Sequence, residues 1–532
     1  MDFLDGIPID MLLSILPAVV LFLYGIEHFS KEILKASGDF FRSTVHKLTK
    51  TPVRGLVSGM IVCSIIQSST ATTLIAVGLV NAGLISFSQS LGVIFGANIG
   101  TAVTAQLIAL KLTAFAPVFI VIGFIVDIIG GKYKFIGKPL FYFGLVFFSL
   151  TLLSGSVEVL KDNPQVLSLF SHFTNPLWGV FVGFIVTNLF QSSSVTTGIV
   201  VIFAQGGLIG FSDALLLILG ANIGTTVTTL LASTRMDLAA RRAAAAHFLF
   251  NVLGVILILP FLPQFSAFVE SLGGDEGQMV ANAHMLFNVS AALLFLLALG
   301  PFEILVKRLV PGEQKEIVLA PKYLNGEVPK DNTEAFKLVE KEIHHMMDVS
   351  RDMYDEVIHS IQARKDCRSR VDKLEAYTDL LDDQISMALL KISQRELTKK
   401  EVEHIVLLTR ISNQVEQFAD SIKIISNLYS NLRDRGVYLS DESMAAFLSC
   451  SVMVRENLEL LLESELNKMD DKTVSRMRQN DDKLRAEINS AYKEHLKRIQ
   501  MKSSNYGSLF IEMLSTLDNA NDRLRTIRKM LQ

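Results

Sequence analysis

Cysteine is scarce. The 532 residues contain three, Cys63, Cys367 and Cys450, too scattered for a disulfide framework or a zinc ribbon. Net charge is also small, −3 at neutral pH, so nothing points to nucleic acid as a partner. The first 310 residues lack a Walker-type phosphate loop, a nucleophile–base pair and a metal-ligand cluster, which gives no support for an enzyme or for ATP-driven transport. A basic leader is missing as well. Asp2, Asp5 and Asp10 stand where a cleaved signal peptide would be positive, so none is expected.

Charge is unevenly spread. Residues 1–310 hold 16 Lys or Arg and 15 Asp or Glu, whereas residues 311–532 hold 34 and 38. Between Gly55 and Leu110 there is no Asp, Glu, Lys, Arg or His at all, a length over which no soluble domain stays soluble. The first part reads as a membrane domain, 1–310, joined by a linker, 311–331, to a soluble domain, 332–532. Apolar stretches long enough to span are 11–30, 88–110, 113–129, 139–158, 212–233, 243–263 and a final span, 280–306. The lone Trp178 fits an interfacial belt and Asp127 the end of a span.

Loop charges set an orientation. Lys31, Lys35, Arg42, Lys47, Lys50 and Arg54 follow the first span, Lys132, Lys134 and Lys138 the third, and Arg235, Arg241 and Arg242 the fifth. Loops 159–175 and 264–279 are nearly free of basic residues. The positive-inside rule places the N-terminus outside and the charged C-terminal half in the cytoplasm, in a cytoplasmic (inner or plasma) membrane. This alternation requires segments 55–87 and 177–211 to enter and leave on one side, as re-entrant hairpins.

Those hairpins carry a duplication. Gln67-Ser-Ser-Thr-Ala-Thr-Thr73 returns as Gln191-Ser-Ser-Ser-Val-Thr-Thr197, and Gly96-Ala-Asn-Ile-Gly-Thr101 as Gly220-Ala-Asn-Ile-Gly-Thr225, both 124 residues later. Pro52, Gly55 and Gly59 match Pro176, Gly179 and Gly183 at the same offset. The loop charges give the copies, about 11–129 and 139–263, opposite orientations. Inverted repeats with polar, interrupted segments at matching positions mark secondary transporters, with the site at the repeat interface.

The motifs suggest what is bound. Ser68 and Ser192 can cap short helices whose free N–H groups favour an anion. Gln67 and Gln191 each offer two donors, and Ser69 and Ser193 add hydroxyls. A tetrahedral oxyanion such as phosphate suits so many donors. Sodium needs neutral oxygens, available at Thr72, Thr73, Thr196, Thr197, Asn98 and Asn222. Small polar residues also serve helix packing, but two matched copies favour a site. His247-Phe-Leu-Phe-Asn251 recurs as His284-Met-Leu-Phe-Asn288. These four residues either tie helices together or line the transport path.

The second half is amphipathic and helical. Candidate helices at 332–364, 366–394, 399–431, 440–466, 469–500 and 503–531 suggest two three-helix bundles. Glu416 and Asp420, with Asp518 and Asp522 a hundred-odd residues on, put paired carboxylates on one helix face in each half. Such pairs either share a divalent cation or face solvent.

The paired QSS motifs with their GANIGT partners, together with Arg241-Arg242 through Asn251, resemble the type II sodium/phosphate cotransporter family over residues 10–306. The C-terminal half resembles the phosphate-uptake regulator PhoU, with its ExxxD motif at Glu416–Asp420 and a variant beginning at Asp518. The whole is similar to bacterial Na/Pi cotransporter–PhoU fusions. The resemblance implies phosphate at Gln67, Ser68, Ser69, Gln191, Ser192 and Ser193. It implies sodium near the neighbouring oxygens, adding Thr70, Thr101, Ser194 and Thr225. No His-x-x-x-Asn segment follows Gly96–Thr101, unlike the second copy. The expected protein is all-α: a polytopic membrane domain of two inverted repeats with a cytoplasmic six-helix domain. It would carry phosphate with sodium by alternating access. Its second domain would bind a divalent metal, a phosphate-signalling protein or another copy of itself. Phosphate efflux, phosphate sensing without transport, and protons in place of sodium are the alternatives.

Overall fold

The computed structural model describes residues 9–49, 51–110, 112–131, 134–161, 176–312, 318–324, 326–500 and 508–532. Asp2, Asp5, Lys50, Lys132, most of loop 159–175, part of linker 311–331 and the start of the helix expected at 503 lie outside them. The chain divides into two units, Met1–Glu316 and Ile317–Gln532. Among the described residues there is no β-strand, only an isolated bridge between Glu465 and Lys468.

In the first unit, α1 runs Ile9–Leu48. It does not stop at residue 30. Lys31, Lys35, Arg42 and Lys47 therefore extend a helix where a loop was expected. Residues 27–37 contain neither glycine nor proline, so nothing in them stops the helix. Next come α2 (Pro52–Ile66), α3 (Ser69–Asn81) and α4 (Phe87–Ala109). Helices α5 (Ala116–Ile129) and α6 (Lys134–Leu160) pack on each other, and α6 packs on α1. The second copy supplies α7 (Pro176–Phe190), α8 (Ser193–Gln205), α9 (Phe211–Gly224) and α10 (Thr226–Ser233). Helices α11 (Leu238–Ile258) and α12 (Leu262–Ser271) follow, then α13 (Glu276–Leu297) and α14 (Leu299–Leu309). The span expected at 280–306 is thus interrupted at Ala298.

At 1.5 Å per residue, α2 and α3 are each about 20 Å long, short of the ~30 Å hydrocarbon core. Each is apolar and too short to span by itself. Helix α2 instead lies against α4, backbone to backbone. A Cβ built on Gly96 would lie 2.0 Å from the Leu56 carbonyl oxygen. The second copy repeats the contact: a Cβ on Gly220 would lie 2.0 Å from the Val180 oxygen. Small residues let the main chains approach this closely. On its other side α4 meets α11, α13 and α14 through Phe95. That ring stacks on Phe250 at 4.8 Å and neighbours Phe295 and Phe302 at 6.2 and 5.9 Å.

The described residues of the second unit form six helices: α15 (Asn332–Ala363), α16 (Arg368–Ser393) and α17 (Lys399–Asp434), then α18 (Asp441–Leu462), α19 (Asp471–Gln500) and α20 (Leu509–Met530). A buried polar knot joins α18, α19 and α20. Asp481 accepts hydrogen bonds from Asn457 (3.2 Å), Asn521 (2.8 Å) and Arg528 (2.7 Å). The segment entering this unit is fixed by the buried carboxylate of Glu342. It accepts from the backbone N–H groups of Lys322 (2.9 Å), Tyr323 (2.6 Å) and Leu324 (2.8 Å).

Gly96→Ala is expected to destabilise the detergent-purified protein by about 1–3 kcal/mol in thermal unfolding, the usual cost of overpacking. Gly78→Ala, with nothing within 4 Å of the added carbon, should not. Equal melting temperatures for both variants would dismiss the close contact as a source of stability.

Candidate functional site

The two helix breaks have the same geometry. Gln67 (φ 57°) and Gln191 (φ 52°) take the left-handed conformation, which non-glycine residues rarely adopt. Ser68 (φ −145°, ψ 105°) and Ser192 (φ −149°, ψ 111°) then turn extended and cap the next helix. The Ser68 hydroxyl accepts from the Ala71 N–H at 3.2 Å, and that of Ser192 from the Val195 N–H at 3.3 Å. Thr72 and Thr196 donate back to the Ser68 and Ser192 carbonyls at 2.9 and 3.3 Å. Each break leaves the first-turn amides of a 13-residue helix without helical partners, at the positive end of its dipole.

Both breaks line one cavity of about 380 Å³. Gln67, Ser68, Ser69 and Thr70 form one side, and Gln191, Ser192, Ser193 and Ser194 the other. All six residues expected to bind phosphate therefore meet in one place. Thr225 lies between the copies, its hydroxyl 3.2 Å from that of Thr70 and 3.5 Å from that of Ser69. Ser194 donates to the Gln67 carbonyl at 3.3 Å.

The remaining oxygens expected for sodium are not cavity-lining. Thr72, Thr73, Thr196, Thr197, Asn98, Thr101 and Asn222 are buried behind it. Thr101 is held by the Ala97 carbonyl (3.0 Å), and Asn98 donates to that of Ile94 (2.8 Å). Thr73 and Thr197 keep buried hydroxyls without partners. The His-x-x-x-Asn pairs are unequal. His284 bonds Asn222 across helices at 3.1 Å. His247 is equally buried, yet neither ring nitrogen has a partner. Asn251 and Asn288 each donate to the histidine carbonyl one turn back, at 3.0 and 2.9 Å.

Sequence reasoning missed two groups of residues. Thr104 donates to the Gln67 side chain at 2.5 Å. A face of α1 carrying Glu27, Ser30 and Lys31 also lines the cavity. The spacing of Leu23, Ile26, Glu27, Ser30, Lys31 and Leu34 was the available signal, once the helix is known to continue past residue 30.

In the second unit the acidic pairs diverge. Burial and the charges of Asp420, Asp379 and Asp382 push the Glu416 carboxyl up to about 7. Burial and Asp522 raise Asp518, opposed by Arg525. Asp522 itself is paired with Arg525 at 2.6 Å. Among the described residues no three His, Cys, Asp or Glu side chains are placed to hold a metal ion. The divalent metal expected at Glu416, Asp420, Asp518 and Asp522 thus finds no ligand set: an arginine already neutralises the second pair.

Five helical segments among the described residues are long and apolar enough to cross a membrane. With a polar cavity enclosed between broken helices, they define a multi-pass membrane protein. Residues 21–155 and 162–273 match the Na+/Pi-cotransporter family, and the chain belongs to it. It is 33% identical over 278 residues to Bacillus subtilis YqeW, whose name assigns no function, covering 51% of this chain and 89% of that one. A Salmonella typhimurium protein named for inorganic phosphate export, YjbB, is 23% identical over 463 residues, 86% of this chain and 83% of its own. The Ovis aries sodium-dependent phosphate transport protein 2A is 42% identical over 111 residues, 19% and 16% of the two chains. No solved structure matches.

Because the Glu416 carboxyl is raised in the fold, its ionisation opposes folding. The stability it allows is intact below about pH 4.5 and lost as pH rises through about 7. Glu416→Gln is expected to raise the melting temperature of the second unit's transition at pH 8 and leave it unchanged at pH 4. The gain should be at most about 1 kcal/mol, since the group is largely solvent-screened. A gain of the same size at both pH values would assign it to packing.

Proposed function

We propose that the protein carries inorganic phosphate across a membrane together with sodium, by alternating access. The observation that carries this reading is the meeting of both QSS breaks in one cavity. Its walls offer amide, hydroxyl and helix N-terminal donors, a set suited to an oxyanion with several acceptor oxygens. Sodium would sit among neutral oxygens at Thr70, Ser194 and Thr225, which share that cavity, its charge opposing that of phosphate. Family membership and relatives named for phosphate transport support the substrate. Direction follows from the gradients of a coupled carrier. Export is favoured by one observation: the relative named for it aligns through both units.

Alternating access is supported by an inequality between the copies. Gln67 is buried and bonded to Thr104, while Gln191 is exposed in the cavity. The counterpart of Thr104, at the same offset, is Thr228. In inverted repeats the two conformations exchange between states, so Gln191 would dock and Gln67 be released when the cavity opens to the other side. The six-helix unit would lie in the cytoplasm and report on transport or modulate it, in the manner of PhoU.

Proteoliposomes loaded with an inward sodium gradient should accumulate radiolabelled phosphate, and choline in place of sodium should abolish accumulation. Ser68→Ala with Ser192→Ala should lower flux at least a hundredfold in folded protein. Flux unchanged by that double substitution would remove the breaks from the mechanism, and binding without flux would favour a sensor. Thr104→Val keeps the side-chain shape and deletes a bond of about 1 kcal/mol. It should change the rate at saturating phosphate several-fold, and an unaltered rate would remove the Gln67 latch from the cycle.

A further inference from the structure

The cavity's third wall is charged. Leu23, Ile26, Glu27, Ser30, Lys31 and Leu34 of α1 recur at spacings of three and one, which places all six on one helix face. Ser30 pins that face to the first break: its hydroxyl donates to the Ile66 carbonyl at 2.8 Å, one residue before Gln67. Among the described residues that line the cavity, Glu27 and Lys31 are the charged ones. They form an ion pair one turn apart, with side chains 59% and 62% exposed. Exposed pairs of this kind are weak and exchange readily.

The chemistry of the breaks leaves something for such a residue to do. Amide and hydroxyl donors satisfy the oxygens of phosphate but do not neutralise its charge. An ammonium group on a flexible stem, on the residue next to the anchoring Ser30, can do so. Without phosphate, Glu27 occupies Lys31 and keeps the wall electrically balanced. Phosphate brings a larger negative charge and more acceptor oxygens than the carboxylate, so it can take the ammonium from Glu27.

We propose that Lys31 is the cationic contact of the transported oxyanion, and that Glu27 is an internal competitor which releases it on binding. This rests on the phosphate reading above. In this arrangement the lysine sets affinity and the salt dependence of binding, while the breaks set orientation.

The test is equilibrium binding of radiolabelled inorganic phosphate to the full-length protein in lipid nanodiscs, at one fixed sodium concentration and with low and high added choline chloride. Lys31→Gln should weaken binding about tenfold, the usual loss of a charge-assisted hydrogen bond, and flatten its salt dependence. Lys31→Arg should stay within about threefold of the natural protein, and Glu27→Gln should bind more tightly. Binding by Lys31→Gln equal to that of the natural protein overturns the proposal while leaving the phosphate reading intact. Equal loss in all three variants also overturns it, because it marks a structural role. Absence of binding by the natural protein would sink the phosphate reading itself.

Discussion

A helix broken at membrane depth leaves amide hydrogens and carbonyl oxygens in a medium that cannot bond them. Much of the first unit answers that constraint. At each break a glutamine accepts a left-handed backbone at a cost of roughly 1–2 kcal/mol, and the following serine caps the next helix. Short helices cannot hold this arrangement by themselves. The first short helix of each copy is clamped to α4 or α9 through glycines so close that no side chain fits between the main chains. The polar groups left over face one another across the cavity.

The second unit obeys different physics. Its helices are amphipathic, and their registry is specified by the buried Asp481 knot and by aliphatic packing. Glu342 holds three consecutive amides of the entering chain, a carboxylate in a place where backbone N–H groups converge. On the phosphate reading proposed above, the two units would use the same interaction, anions on clustered amides, in one case for a guest and in the other for a resident side chain.

The duplication was legible because it is written twice. Matching QSS and GANIGT motifs at one offset identified the breaks and the six residues that line the cavity. What the sequence could not reveal was which member of a look-alike pair is bonded. Gln67 and Gln191 look alike, as do His247 and His284, yet one of each pair is bonded to another helix and the other is not. Such differences belong to one conformation of the molecule, not to its composition. The α1 wall was hidden for another reason. Lys31 was counted with the loop charges, since hydropathy falls at residue 30 although the helix does not end. The expected metal failed because equal spacing of carboxylates says nothing about an arginine one turn away, as at Asp522.

The shortness of α2 and α3 also bears on how the chain is made. A nascent helix of 13 or 15 residues has too little apolar length to be retained in a bilayer as it leaves the insertion machinery. Its docking surface in the first copy is α4, and in the second α9. Such a helix would therefore wait, unintegrated, until synthesis has passed about residue 109 or residue 224. Assembly then proceeds in blocks of three helices, and the cavity cannot exist until the second block has closed upon the first.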